Sequence, residues 1–322
     1  MAMFATAPGR TPARHGDGNR DTCDTEQGNG VAMILCCGEA LIDMLPVVTA
    51  GGDSAFAPHP GGAVFNTAIA LGRLDAPVGF LSGISTDFFG DQLRASLESS
   101  GVATDYIVFR DRPTTLAFVR LVQGQASYAF YDENTAGRLL SPGDLPPLAD
   151  AVAALFFGGI SLIAEPCGSS YESLMRREAP RRLTMIDPNI RPGFVSDEQA
   201  YRERIARLLA MSDIVKVSDE DLSWLEGPGE VDSLAGGLLT CGPKLVIVTH
   251  GADGVTGYTA GHTVSVVAKP ATVVDTVGAG DTFNAGFMAL LQSRGLLTKA
   301  ALASLSEQDT CDALDLGARA AA

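Results

Sequence analysis

The sequence predicts an α/β fold: a doubly wound, mostly parallel central sheet with helices on both faces and a small β-sheet lid. Three observations carry this prediction. Short continuous apolar runs recur along the chain, amphipathic helical segments lie between them, and two stretches break the rhythm with extended, hairpin-like patterning. Strands buried on both faces read as unbroken hydrophobic runs, and parallel neighbours need helical crossovers.

Residues 1–32 mix Gly, Thr, Arg, Asp and Asn with almost no apolar periodicity. Such a composition cannot offset the entropy of ordering, so a disordered leader is expected. The chain changes character at Met33, a candidate natural start, where "MILCCGEALIDML" opens an apolar run ending at Gly38. One domain is expected over 33–322. Residues 41–58 read as extended chain, and "GGAVFN" (61–66) places an Asn just inside a helix. "GFLSGI" (79–84) reads as a strand, and Leu93 and Leu97 mark the apolar side of the helix that follows. "TTLAFVRLVQGQASYAFY" (114–131) reads as a hairpin turning near Gln123-Gly124, and it forms the lid together with 41–58. Strands are then expected in "ALFFGGI" (154–160), "LTMID" (183–187), "DIVKVS" (213–218) and "KLVIVT" (244–249). Last, the β-branched run of Val273, Val274, Thr276 and Val277 breaks into Gly278-Ala279-Gly280, and Asp281 stands where a helix begins.

Composition removes several classes of function. A net charge of -15 argues against a general nucleic-acid or anionic-membrane surface, since both need excess Lys and Arg. Neither a signal-peptide pattern nor a membrane-length apolar run is present, so a cytoplasmic protein is expected. No lysine sits in a Gly-Lys-Ser/Thr sequence, which excludes a Walker-type phosphate loop. The six cysteines are scattered, with no C-x-x-C pair, and read as buried thiols; the four histidines lack zinc-ligand spacing.

Polar groups follow strand after strand, at the end of an open α/β sheet where ligands bind. The glycines of 278–280 let the backbone approach a ligand, and the N–H groups opening the next helix attract an anion. Asp281 reads equally as a helix cap or as a group acting on whatever carries that anion. Asp43 in "GEALIDML" lies amid apolar neighbours, where a carboxylate needs a partner or ligand hydroxyls. Gly61, Gly62 and Asn66 read as a turn and cap or as a ligand site. "DPNIRP" projects Asn189 and Arg191, "KVSDEDL" gives Ser218, Glu220 and Asp221, and "VTHGADG" gives Thr249, Gly251 and Gly254. A Rossmann fingerprint fails on spacing, because its third glycine position is Phe283.

From about Ile34 onward the chain resembles the ribokinase-like (PfkB) sugar kinases, and within them the bacterial fructokinases. "GGAVFNTA" resembles the N-terminal signature of that family and "DTVGAGDTFNAGF" the C-terminal one, while "FGDQL", "PTTLAFV", "FYDENTAGR" and "DPNIRP" resemble fructokinase segments. The resemblance implies that Asp281 is the catalytic base for a sugar hydroxyl and that the 278–281 loop (Gly278, Ala279, Gly280, Asp281) is the anion hole for the γ-phosphoryl. A helix terminus lowers the pKa of an acid, so a weak base is expected there. By the same resemblance Asp43, Gly61, Gly62 and Asn66 hold sugar hydroxyls under the closing lid, and Arg191 steadies sugar or phosphate. Ser218 and Asp221 stand where an N-x-x-E motif is linked to Mg2+ and the phosphates, Thr249, Gly251 and Gly254 line ATP, and Asp275 is the ligand of a monovalent cation such as K+.

The implied reaction is ATP-dependent phosphorylation of fructose to fructose 6-phosphate. Two alternatives stay open: another sugar kinase, notably for 2-keto-3-deoxygluconate, and a sugar-binding or sensing protein of weak catalytic power. The resemblance also implies a homodimer formed partly through the lids. Members of the family continue past an alanine-rich helix into a Gly-Ala loop and a final segment, whereas this sequence stops at "LGARAAA"; a missing terminal piece of the nucleotide and cation sites is the expectation.

Overall fold

A computed structural model of the protein describes residues 32–122, 125–269 and 278–322. The expected disordered leader, the hairpin turn at Gln123-Gly124 and Asp275 lie outside the described residues.

An eight-stranded sheet forms the body. Its strands are β1 (Met33–Cys37), β4 (Val78–Leu81), β9 (Val152–Gly158), β10 (Leu183–Asp187), β11 (Ile214–Ser218), β12 (Leu245–Thr249), β13 (Val255–Tyr258) and β14 (Thr263–Val266). They run in the order β14-β13-β12-β11-β10-β9-β1-β4. From β12 to β4 all neighbours are parallel, and β13 and β14 add an antiparallel edge. Period-two alternation splits the apolar strands between two cores. In β1, Ile34 and Cys36 face one core and Leu35 and Cys37 the other.

Helices α1 (Ala63–Arg73), α2 (Phe88–Ser99), α7 (Ala279–Ser293), α8 (Lys299–Ala303) and α9 (Glu307–Ala320) contribute buried residues to the first core. Helices α3 (Cys167–Glu178), α4 (Glu198–Met211), α5 (Asp219–Glu226) and α6 (Val231–Thr240) contribute to the second. The doubly wound reading is therefore correct.

A second sheet carries the two stretches that break the helix–strand rhythm. Strands β2 (Leu41–Val48), β3 (Ser54–Gly61), β7 (Leu116–Val122) and β8 (Gln125–Tyr131) pair in the order β3-β2-β7-β8. Phe56, Phe118 and Tyr131 stack edge to face across it, with ring centroids 5.0 and 5.5 Å apart. The apolar run at 79–84 is not one strand. It divides between β4 and β5 (Gly83–Ser85), and β5 leaves the main sheet to pair with β6 (Val108–Arg110). A continuous apolar run carries no mark of such a switch.

Burial also corrects the reading of the cysteines. Cys36, Cys37 and Cys167 are buried, and burial pushes the Cys167 thiol up to about 12, whereas Cys241 is exposed. Among the described residues no helix is long and apolar enough to cross a membrane.

Candidate functional site

The sheet reverses its winding between β1 and β9: the chain goes from β1 to β4 on one side and later builds outward from β9 on the other. Crevices form beyond the strand ends at such a reversal. Here the crevice is a cavity of about 360 Å³. Its walls are Glu39 after β1, Gly159 and Ile160 after β9, Asp187 at the end of β10, and Lys216 in β11. The first turn of α1 contributes Gly62, Ala63 and Asn66, and the first turn of α7 contributes Gly278, Gly280 and Asp281. Leu41, Asp43 and Phe130 reach in from the smaller sheet, opposite Asn189, Arg191 and Phe194. Phe130 and Phe194 meet edge to face with centroids 4.4 Å apart, so an apolar contact joins lid to body at the cavity wall.

Asp281 is the third residue of α7 and is only 7% exposed. Its Oδ2 accepts a hydrogen bond from Asn66 Nδ2 at 2.9 Å, and its main-chain oxygen accepts one from Thr67 Oγ1 at 3.1 Å. Two helix starts are thereby stitched together across the cavity. The carboxyl is not the weak base expected of a helix terminus, since its pKa is raised to about 7. Burial is the main cause; the Asn66 hydrogen bond opposes it, Asp187 adds to it, Lys216 opposes it, and Glu39 adds to it. Removal of a carboxylate from water outweighs the favourable field of a helix end, whose effect is modest.

Gly278 precedes α7 with φ +83°, a left-handed conformation that glycine adopts freely. The turn leaves the opening N–H groups of the helix without intrahelical partners. Beside them lies Lys216: a side-chain carbon on Gly280 would come within 3.2 Å of its Nζ. Lys216 Nζ donates to Asp187 Oδ2 at 2.9 Å, and Asn284 Nδ2 donates to the same oxygen at 2.8 Å. Among the described residues Asp187 Oδ1 and Asn284 Oδ1 are buried and have no hydrogen-bond partner. The arrangement places a general-base candidate, a row of amides and a cation around one point.

The structure brings together Gly278, Gly280, Asp281, Asn66, Gly62, Asp43 and Arg191, all of which line the cavity. Burial raises the Asp43 carboxyl to about 6, opposed by His59 across the strand pair. Gly61 leaves room for Asp43, because a side-chain carbon there would fall 2.1 Å from Asp43 Oδ2. Ser218, Asp221, Thr249, Gly251 and Gly254 are not among the residues lining this cavity; Ser218 and Thr249 end β11 and β12, Asp221 lies in the first turn of α5, and Gly251 and Gly254 follow β12. Ser218 Oγ caps α5 by accepting from Asp221 N at 3.0 Å. Asp221 Oδ1 accepts from Ile190 N at 3.2 Å, which ties the 187–194 loop to α5. Burial and then Asp187 raise the Asp221 carboxyl to about 6. Reasoning from sequence missed Glu39 and Lys216, and gave Asp187 and Asn284 no role of their own. The signal available was a charge or amide inside an otherwise apolar segment.

Among the described residues no group of three or more His, Cys, Asp or Glu could cage a metal.

Comparison with known proteins agrees with this layout. A fructokinase of Rhizobium leguminosarum bv. trifolii is 55% identical over 276 residues, covering 86% of this chain and 85% of the relative. A Klebsiella pneumoniae fructokinase is 33% identical over 302 residues, covering 91% and 95%. The crystal structure of a Xylella fastidiosa fructokinase with bound ATP superimposes with a TM-score of 0.80 at 29% identity, covering 89% of this chain and 91% of that one. The pfkB family carbohydrate kinases match residues 31–322 as a family. With its ribokinase-like sheet, its lid and the two helix starts joined at Asp281, the chain belongs to the pfkB family of carbohydrate kinases.

Proposed function

We propose that the protein transfers the γ-phosphoryl group of ATP to a primary hydroxyl of fructose, giving fructose 6-phosphate and ADP. The observation that carries the proposal is the buried Asp281 carboxylate, with a pKa of about 7, at the amide-lined start of α7. The high identity to a fructokinase supports the choice of sugar. Asp43, Gly62 and Asn66 orient the sugar from the lid and from α1, while Phe130 and Phe194 shield it from water. The hydroxyl oxygen bonds to the γ-phosphorus as the bond to the β-phosphate oxygen breaks, and the hydroxyl proton passes to Asp281. The amides of Ala279, Gly280 and Asp281, with Lys216 beside them, stabilise the charge on the transferring group.

Mg2+, when bound, neutralises phosphate charge, and Ser218 and Asp221 are the residues that would face it. Thr249, Gly251 and Gly254 line the nucleotide in this reading, Gly251 and Gly254 having φ of +54° and +112°. Asp275 is assigned to a monovalent cation on the family resemblance alone. The exposed apolar residues Val48, Phe56 and Tyr131 of the smaller sheet support a homodimer joined through the lids.

Arg191 in the cavity wall favours a second reading, a keto acid such as 2-keto-3-deoxygluconate, whose carboxylate it would pair. Specificity constants for a panel of sugars in a coupled ADP-release assay decide between them. A preference for fructose supports the proposal, and a strong preference for the keto acid overturns it.

A further inference from the structure

The proposed chemistry leaves the buried carboxylate of Glu39 without a task. Glu39 follows β1 at the point where the sheet reverses, and both of its oxygens are engaged. Oε1 accepts the N–H of Ala63 at 2.9 Å and Oε2 accepts the N–H of Ser161 at 3.2 Å. Ala63 is the first residue of α1, and the helix is otherwise poorly capped: Gly62 has no side chain to offer, and no acid occupies the first turn. A helix start carries unpaired N–H groups and partial positive charge that an acid satisfies. Here that acid comes from 24 residues earlier in the chain.

The surrounding backbone is shaped to admit it. A side-chain carbon on Gly159 would lie 2.1 Å from Glu39 Oε1, and one on Gly62 would lie 3.1 Å from Glu39 Cγ. Both glycines have positive φ, +66° and +111°. One turn along α1, Asn66 donates its main-chain N–H to Gly62 O at 2.8 Å and its side-chain amide to Asp281 at 2.9 Å.

We infer that Glu39 is a positioning residue: it clamps the first turn of α1 to the loop after β9 and, through that turn, holds Asn66 against the carboxylate of Asp281. The inference deepens the proposed function and rests on it for its kinetic assay. Glu39 does not meet the reacting atoms in this reading; it sets where their neighbour stands.

The test is a double-mutant cycle of Glu39→Gln and Asn66→Ala, with Gly159→Ala as an independent way of displacing the carboxylate. Glutamine keeps one acceptor oxygen but turns an NH2 toward the other amide, so one bond is lost while the shape survives. Glu39→Gln is expected to lower kcat/KM by ~10- to 100-fold, the scale of small misplacements in an active site. On top of Asn66→Ala it should add little, because the two act as one unit. In Gly159→Ala, which displaces the carboxylate and keeps its charge, the acid limb of the kcat/KM profile should move upward, as it does when Asp281 loses the Asn66 bond. Simple removal of a neighbouring negative charge moves it downward. A purely structural Glu39 would lower Tm and leave these readouts alone.

Wild-type kcat/KM in Glu39→Gln, losses that multiply with Asn66→Ala, or a limb in Gly159→Ala that is unchanged or moves downward would each overturn the inference. The pKa of Asp281 is also read without substrate, from the pH dependence of stability relative to Asp281→Asn in each background. A wrong choice of sugar therefore shows in the substrate panel and leaves the reading of the clamp intact.

Discussion

Asp281→Asn should stabilise the sugar-free protein, and by an amount that depends on pH. The fold holds the Asp281 carboxyl at about 7 against an ordinary 3.8. Below pH ~4 the acid is protonated in both folded and unfolded chains and has no effect. Between pH ~4 and ~7 the unfolded chain releases the proton and the fold retains it, so stability falls as pH rises, and above ~7 the loss is constant. At about 1.36 kcal/mol per pH unit the full cost is about 4 kcal/mol, and at pH 5 it is about 1.5 kcal/mol. Asparagine escapes this cost and still offers Asn66 an oxygen. With roughly 2 °C in Tm per kcal/mol for a chain of this size, the variant should melt about 8 °C higher than wild type at pH 8 and about 3 °C higher at pH 5. Scanning calorimetry on ligand-free protein at pH 5, 6, 7 and 8 measures the gap. The same variant should lose at least ~100-fold in kcat/KM, as removal of a general base does. A Tm gap that stays constant with pH, or an asparagine variant less stable at pH 8, would refute the argument that burial sets this pKa.

Three further outcomes follow from the same contacts. The acid limb of wild-type kcat/KM should lie near pH 7, with activity rising as Asp281 ionises, and Asn66→Ala should push it higher because the hydrogen bond opposing burial is gone; a pH–rate profile showing an unchanged limb contradicts this. Lys216→Met leaves Asp187 buried without its cation, at a cost of about 3–5 kcal/mol, so the urea midpoint should fall clearly, and an unchanged midpoint would show that Asn284 alone sustains the carboxylate. Gly278→Ala forces an L-residue to φ +83° at about 1–2 kcal/mol; calorimetry should show a lower Tm and kinetics a lower kcat, while calorimetric titration should find fructose affinity within about 3-fold of wild type, since in the proposed mechanism the strain falls on the phosphoryl side of the cavity.

Much of the body was legible because its physics is local. An unbroken apolar run such as "LTMID" can satisfy both faces of a parallel strand, and it is β10 residue for residue. The glycines before α7 announced a turn and a helix start. The division of 79–84 between two sheets, and the antiparallel β13 and β14 at the edge, were not legible in this way. They depend on which neighbours have free edges, and that is settled by the whole sheet. Glu39 and Lys216 escaped notice for a related reason: each is a lone charge inside an apolar segment. Its partners, Ser161 and Asp187, lie 122 and 29 residues away.

The case of Asp281 shows where a local rule gives out. Position three of a helix stabilises an ionised acid by up to ~1 kcal/mol at an exposed surface. Closing α1, β10 and β11 around that acid removes its water and brings Asp187 and Glu39 into its field, and these raise its pKa against the combined pull of Asn66 and Lys216. The tertiary terms are the larger, so the sign reverses. The reversal suits a base, because a carboxyl titrating near 7 accepts a proton far more readily than one near 4 while still being ionised in a useful fraction at neutral pH. In the proposed mechanism the burial that costs the fold stability is the same burial that makes the group effective, which is why one substitution is expected to raise Tm and remove turnover together.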